Sequence, residues 1–181
     1  LKVKTYNLSL YAALTSQPNE KTIITISTKY NESNTTLMDQ IGTALNGSHD
    51  YERFNPAFSI ARTFSDQIRF YAGYSRSNRT PSPVELTCAD EDDPCRLPNA
   101  FLADPPLKDV KAETYELGFQ SKQKSKGWFV NAFRTETKDD ILFISSGPLT
   151  NEGYFSNIGQ TLRQGIEAGA SGNFKGGIDW E

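Results

Sequence analysis

Seven stretches of this 181-residue sequence read as β-strands, and the connections between them are alternately short and long. The strand signal is a period-two alternation of polar and apolar side chains, rich in β-branched and aromatic residues. In residues 112–122, for example, Tyr115 and Leu117 fall on one face, whereas Thr114 and Glu116 fall on the other. Such a pattern predicts an all-β chain whose strands each present one apolar face.

The order of the connections predicts the topology. In an antiparallel up-and-down meander, alternate turns emerge at the same end of the sheet, so all long connections share one end. Residues 37–45 could add one or two helical turns within the first long connection. The predicted strands are residues 1–14, 21–30, 58–64, 68–77, 112–122, 128–137 and 159–171, with part of an eighth at 177–181. The short breaks are 16–20, 65–67, 123–127 and 172–176, and the long ones are 31–55, 79–111 and 139–157.

The long connection at residues 79–111 carries both cysteines and six of the nine prolines. Each proline lacks a backbone donor and restricts its predecessor, so regular helix or central strand is not expected there. A disulfide between Cys88 and Cys95 is the preferred interpretation and implies an oxidising compartment. The alternative is two free thiols in an exposed loop. We expect the loop either to contact a ligand or only to fold over the end of the sheet, where the disulfide would hold it in shape.

Sites for metals, catalysis and nucleic acid are not expected. Two cysteines and one histidine, His49, do not supply the four ligands of a zinc site, and no nucleophile signature accompanies that histidine. The acidic run 90–93 could bind Ca²⁺ through clustered oxygens, but a solvated acidic loop is preferred, as it is for Asp139 and Asp140. The net charge is −3 and the sequence contains no run of basic residues, so it lacks the positive patch that nucleic-acid binding requires.

A transmembrane β-barrel accounts for both the loop asymmetry and the composition. Such barrels have short periplasmic turns and long extracellular loops, and their apolar faces look outward to lipid. A wet lumen behind those faces explains why hydrophobic residues make up only 36% of a chain with clear strands. Four polar side chains on the opposite faces are expected to point into the lumen: Arg69, Glu116, Arg163 and Glu167. Salt bridges that hold the strand register are the preferred role, and the alternative is that these residues line a polar path or pair with a plug. Aromatic residues near strand ends are expected to form the interfacial girdles: Tyr6, Tyr30, Tyr74, Tyr115 and Trp128.

Short motifs along nearly the whole chain give it a resemblance to a known family. They are Phe54-Asn55-Pro56, the run from Tyr74 to Leu86, the run from Pro98 to Leu107, Glu116-Leu117-Gly118-Phe119, Phe133-Arg134-Thr135, Lys138-Asp139-Asp140-Ile141 and Asn157-Ile158-Gly159. In these motifs, their order and their spacing, the chain resembles the barrel of TonB-dependent outer-membrane receptors.

The resemblance implies uptake of a scarce ligand, typically a ferric siderophore or cobalamin, energised through TonB, with no enzymatic activity and no cofactor. Barrels of this kind have 22 strands and a plugged lumen. The chain is therefore expected to be a fragment of about eight strands, truncated at both ends. The implied partners are outer-membrane lipid, the small ligand, and TonB through a plug outside these residues. The alternative is a small self-contained β-barrel or sandwich that binds a ligand or adheres through its long loops.

Overall fold

The described residues of the chain form one antiparallel sheet of nine strands and one short helix. The computed structural model describes residues 1–43, 45–65, 67–89, 95–96, 107–123, 126–146, 152–174 and 178–180. The strands are β1 (Lys2–Asn19), β2 (Thr22–Met38), β3 (Gly47–Ser65), β4 (Ile68–Arg79), β5 (Cys95–Arg96), β6 (Val110–Lys122), β7 (Lys126–Ser145), β8 (Glu152–Phe174) and β9 (Ile178–Trp180), and the helix is α1 (Pro83–Leu86).

The sheet confirms the predicted all-β, antiparallel up-and-down meander. Its long strands lie in the order β1, β2, β3, β4, β6, β7, β8, and the short strands β5 and β9 both pair with β8. No ladder joins β1 to β8 among the described strands, so these strands form an open sheet and not the closed small barrel of the alternative hypothesis. The described part of the chain contains no helix with the length and hydropathy of a membrane span.

Two of the three predicted long connections are much shorter than expected. β2 and β3 pair from Thr22 with Arg62 as far as Leu37 with Gly47, so residues 31–38 and 47–55 are strand. The helical turns predicted at residues 37–45 are wrong. β2 extends to Met38, and the described residues of this connection contain no helix. In the third connection, β7 continues to Ser145 and β8 begins at Glu152.

The register assigns every long strand two faces, named here the polar face and the apolar face. The apolar face carries Tyr115 and Leu117, and the polar face carries Thr114 and Glu116. Large hydrophobic residues on the apolar face stay exposed, for example Leu14 at 70% and Ile166 at 77%. Because apolar surface of this extent costs free energy in water, the apolar face needs an apolar environment.

The faces of β7, which the sequence pattern left unassigned, follow from its register with β6 and β8. Asn131 lies on the polar face and Arg134 lies on the apolar face, so the two residues are on opposite sides of the sheet, as expected. The alternation is obscured because two aromatic residues of β7 also lie on the polar face, each opposite a glycine of β8. Phe129 pairs with Gly169, and Phe133 pairs with Gly165.

The strands β3 and β4 separate at one end. Their ladder stops at Ala57 with Ser75, although β3 stays paired with β2 well past that point. The residue before Ala57 is Pro56, which has no N–H to donate and so suits the end of a ladder. Beyond it the two strands are joined by side chains, since the amide oxygen of Asn78 accepts from Asn31 (3.0 Å) and Asn55 (2.7 Å).

Candidate functional site

The connection between β4 and β6, residues 80–109 and called the strap here, begins with α1. The prediction that it holds no helix is wrong, because proline is tolerated at the first helical position and Pro83 stands there. Ser82 caps the helix: its hydroxyl accepts from the Glu85 N–H, and the Glu85 carboxylate accepts from the Ser82 N–H (2.6 Å). Arg79 adds an ion pair to Glu85 at 2.8 Å. The chain is thus fixed as it leaves β4.

The ionisation of Glu85 reflects these contacts. Partial burial is the largest single effect and raises the pKa of its carboxyl. The hydrogen bonds from Arg79 and Ser82 together outweigh it, so the pKa of Glu85 is lowered below its ordinary value. The carboxylate is therefore charged at neutral pH, as both the cap and the ion pair require.

The strap packs on the polar face of the sheet at its long-connection end. Its members Leu86, Ala89 and Leu107 form the buried core together with one residue from each of three strands. Those strand residues are Leu37 of β2, Val110 of β6 and Ile141 of β7, with Phe155 of β8 packed against the cluster. A connection that joins two adjacent strands therefore reaches across the sheet from β2 to β8.

Polar contacts hold the end of the strap to β3. Arg53 donates two hydrogen bonds of 2.6 Å to the Asp109 carboxylate, whose side chain is only 3% exposed. The Tyr51 hydroxyl donates to the Leu107 carbonyl at 2.9 Å. Burial, with a smaller contribution from nearby carboxylates, raises the pKa of Tyr51 to about 12. Tyr51 and Arg53 are two residues apart on one strand, so both point to the polar face.

A second set of contacts holds the strap to β8. Asn157 accepts from the Lys108 N–H (2.8 Å) and donates to the Lys108 carbonyl (3.1 Å), which closes a two-way bridge. The Phe155 N–H donates to the Cys88 carbonyl, and β5 pairs with Gly153 and Glu152. The strap is therefore attached to the sheet on both sides.

Sequence reasoning missed most of these contact residues. Tyr51, Arg53 and Asn157 fell inside segments predicted as polar loops, and Asp109 was given no role. One signal was present, because Tyr51 and Arg53 alternate with Glu52 and Phe54 in the pattern of a strand.

The predicted residues of the strap can be followed only in part. Cys88 is 1% exposed, and no free thiol occurs among the described cysteines. The Cys88–Cys95 disulfide stays a prediction, because the side chain of Cys95 lies outside the described residues. The acidic run 90–93 and the motif residues 98–106 also lie outside them.

The four polar residues predicted to share a face do share the polar face, since each pairs across the ladder with a polar-face neighbour: Arg69 with Gln120, Glu116 with Gly73, Arg163 with Thr135 and Glu167 with Asn131. The expected salt bridges among them are not found, because no ion pair joins any of the four to another described residue. Instead, Glu116 borders a depression of about 230 Å³ that is lined largely by small hydroxyl side chains such as Ser59 and Thr114.

The contacts of His49, Asp139 and Asp140 are those of residues within the strands. His49 lies on β3 opposite Thr35, and partial burial lowers its pKa, although Asp50 acts in the opposite direction. Asp139 has a positive φ of 55° and accepts from Lys111 at 3.2 Å. Asp140 accepts from Thr161 at 3.3 Å. The described residues contain no group of three or more metal-ligating side chains.

The apolar face ends in a sharp chemical boundary towards the long-connection end. Tyr74 and Tyr115 are cross-strand partners whose ring centroids lie 5.0 Å apart. The next pair on the same face is Arg76 with Glu113, an ion pair of 2.7 Å. Tyr74 and Tyr115 of the predicted girdle thus lie at the edge of the apolar band. They do not lie at the strand ends, because the strands continue beyond the band.

The sequence from residue 2 to residue 181 matches the family model described as TonB dependent receptor-like, beta-barrel. The chain belongs to this family. TonB-dependent receptor barrels are proteins of the Gram-negative outer membrane, where bilayer-spanning strands present an apolar band to lipid and polar side chains to the lumen. The apolar and polar faces of this sheet have that chemistry. No curated protein matches the sequence.

Solved structures of TonB-dependent receptors share the fold. The sheet is similar to the copper transporter OprC, with 16% identity and a TM-score of 0.77 over 96% of this chain and 27% of that one. It is similar to the ferric yersiniabactin uptake receptor FyuA from Yersinia pestis (20% identity, TM-score 0.71, 98% and 26% covered). It is also similar to the Serratia marcescens hemophore receptor HasR (15% identity, TM-score 0.73, 94% and 32% covered). The chain therefore spans about a quarter to a third of these proteins.

Proposed function

We propose that this chain forms part of the barrel wall of an outer-membrane receptor that imports a scarce ligand, such as a ferric siderophore or cobalamin. Import is driven through TonB, which contacts a plug domain outside residues 1–181. The polar face lines the lumen, the apolar face lies in lipid, and the long-connection end is extracellular. The barrel wall itself has no catalytic activity.

The observation that carries this proposal is the position of the strap. Its described residues pack on the polar face against β2, β3, β6, β7 and β8, at the end of the sheet where the long connections emerge. A segment placed there narrows the entrance to the lumen and presents its outer side to incoming ligand. The family membership supports uptake of a scarce ligand, and the similar structures, which transport or receive copper, iron, ferric yersiniabactin and heme, favour a metal ion or a metal chelate as the ligand class.

The test of uptake compares cells with and without the native gene for this protein. Cells are offered ⁵⁵Fe-labelled siderophores of several chelating classes, labelled cobalamin, heme and copper, with and without a protonophore. The proposal predicts that one ligand accumulates only when the gene is present and the proton gradient is intact. Equal accumulation of every ligand in the deletion strain would contradict it.

The test of orientation uses two single cysteine variants of the full-length protein. Ile41→Cys lies in the connection between β2 and β3, where Ile41 is fully exposed, and Glu20→Cys lies in the turn between β1 and β2. A membrane-impermeant maleimide on intact cells should label the first and spare the second. Labelling of Glu20→Cys alone would invert the proposed orientation.

A further inference from the structure

The sheet divides in two beyond the point where the β3–β4 ladder ends. β3 stays paired with β2, and β4 stays paired with β6, well past Ala57 and Ser75. No ladder joins the described residues of β3 and β4 beyond that pair. We name the gap between them the split, and we name residues 29–38 and 47–55 the arm. The arm is therefore a hairpin that extends past the last backbone link to β4, with part of β1 paired along it.

Side chains fill the split in place of a ladder. The register places Asn31 and Asn55 on the polar face, whereas Asn78 belongs to the opposite side of the sheet. Both donate to the Asn78 side-chain oxygen, at 3.0 and 2.7 Å, so these hydrogen bonds pass between the strands. A cleft of about 390 Å³ lies in the split, and its lining combines Arg53 from one face with Arg76 from the other. The cleft therefore reaches both faces of the sheet.

The closed split leaves one buried acceptor unsatisfied. Asn55 is 7% exposed, and its side-chain oxygen has no hydrogen-bond donor, although its amide nitrogen donates to Asn78. A buried carbonyl without a partner is unfavourable because it has given up its hydrogen bond to water. Separation of the strands would return water to this oxygen, so the asparagine cluster resists opening less than a complete backbone ladder would.

Contacts with the strap hold the arm in place. Arg53 donates two hydrogen bonds to the Asp109 carboxylate, and the Tyr51 hydroxyl donates to the Leu107 carbonyl. Leu37, close to the tip of the arm, belongs to the same buried core as the strap. The strap is attached on its other side to β8. It therefore bridges the split, and the position of the arm depends on side-chain contacts with the strap.

We propose that the arm is a hinged gate at the entrance to the lumen. It moves as a unit about Pro56 and Ala57, closed while Arg53 is paired with Asp109 and open when that pair is broken. Two discrete states follow because a few specific contacts hold the closed arm, while its own strand pairing persists in both states. The inference rests on the proposed function, which places this end of the sheet at the mouth of the barrel, and it applies whichever ligand is imported.

The test measures the width of the split in the full-length protein, reconstituted in bilayers without ligand. Spin labels at Ser48→Cys on the arm and Leu142→Cys on β7, both exposed positions, report the distance across the split by double electron–electron resonance. A second pair below the split, Ile26→Cys and Leu117→Cys, reports on the rest of the sheet. Labelled protein without added cysteines supplies the background. With no further substitution, the first pair should show mainly the short distance.

Arg53→Met should raise the ratio of open to closed molecules by at least about tenfold, since Asp109 regains water only when the arm moves away. Asn78→Ala should act in the same direction, because it removes the acceptor that the other two asparagines share. The matched control Thr114→Val removes a cross-strand hydrogen bond of 3.0 Å where the β6–β7 ladder is continuous, and it should leave the ratio unchanged. The lower pair should keep its distance in every variant.

Three results would overturn the gate: an unchanged ratio in Arg53→Met, an equal rise in the control, or a longer distance for the lower pair. The measurement needs neither ligand nor TonB, so it is independent of the uptake experiment. A fixed arm in a protein that imports its ligand would overturn the gate alone, and a moving arm in a protein that imports nothing would overturn the uptake proposal alone.

Discussion

Arg53 of β3 and Asp109 at the end of the strap are joined by two parallel hydrogen bonds, each 2.6 Å long. The partners differ in exposure, with 40% of the Arg53 side chain accessible and 3% of the Asp109 side chain. The pair therefore anchors a buried carboxylate with a guanidinium that still reaches solvent. Because of this difference in exposure, we expect removal of Arg53 and removal of the charge on Asp109 to destabilise the strap to different extents.

The first prediction compares Arg53→Met with Asp109→Asn. Loss of the arginine leaves a buried carboxylate unpaired and should destabilise closure of the strap by about 3 kcal/mol. Loss of the charge on Asp109 leaves an arginine that water can solvate, so the cost should be about 1 kcal/mol. Hydrogen exchange at Val110 and neighbouring amides in the full-length protein measures both. A larger effect for Asp109→Asn would contradict the account.

The second prediction concerns glycines opposite aromatic rings. A Cβ on Gly118 would lie 2.6 Å from the Tyr71 ring and 2.8 Å from the Val130 carbonyl, so Gly118→Ala should cost about 1–3 kcal/mol of unfolding free energy. Gly159→Ala is the matched control, because nothing lies within 4 Å of its added Cβ, and it should change stability by less than about 0.5 kcal/mol. Urea unfolding of the refolded barrel compares them, and equal midpoints would refute the prediction.

The third prediction concerns pH. The folded pKa of Glu85 lies below its ordinary value of 4.5, so its contribution to stability is fully present above pH 4.5. That contribution is lost as the pH falls through the lowered folded value, because the protonated carboxyl no longer pairs with Arg79. Amide exchange at Leu86, corrected for intrinsic rates, should show α1 opening more readily in acid, by about 1 kcal/mol, the usual worth of a cap.

Glu85→Gln is the control for this prediction. It should weaken α1 at neutral pH and abolish the change between pH 6 and pH 3. If the variant opens with the same pH dependence as wild type, Glu85 is not the titrating group.

The sequence predicted the meander and the faces of most strands because lipid-facing positions must be apolar and lumen-facing positions polar. It failed beyond the apolar band. From Asn31 to Leu37 both faces of β2 are polar or covered by the strap, so the alternation disappears while the ladder continues. In this segment β2 is held as a strand by its pairing with β3, and the local sequence pattern contains no signal of that pairing.

The site was less accessible to sequence reasoning than the fold. Contacts such as Arg53 with Asp109 join residues 56 positions apart, and their partnership depends on how the strap folds back. One missed relationship was visible in retrospect. Phe129 and Phe133 share the four-residue spacing of Gly165 and Gly169, and each aromatic pairs with one of these glycines on the polar face. A search for matched aromatic and glycine spacings would have assigned the faces of β7.

The most direct test of the central claim, that this sheet spans a membrane with its apolar face in lipid, is spin-label accessibility at two adjacent residues of β6. Leu117→Cys and Glu116→Cys are labelled separately in the full-length protein, reconstituted in bilayers, with unsubstituted protein as the background control. The account predicts that the label at Leu117 collides with lipid-soluble oxygen and is shielded from a water-soluble nickel chelate, and that the label at Glu116 is shielded from oxygen. Greater oxygen accessibility at Glu116 than at Leu117, or equal chelate accessibility at both, would contradict it.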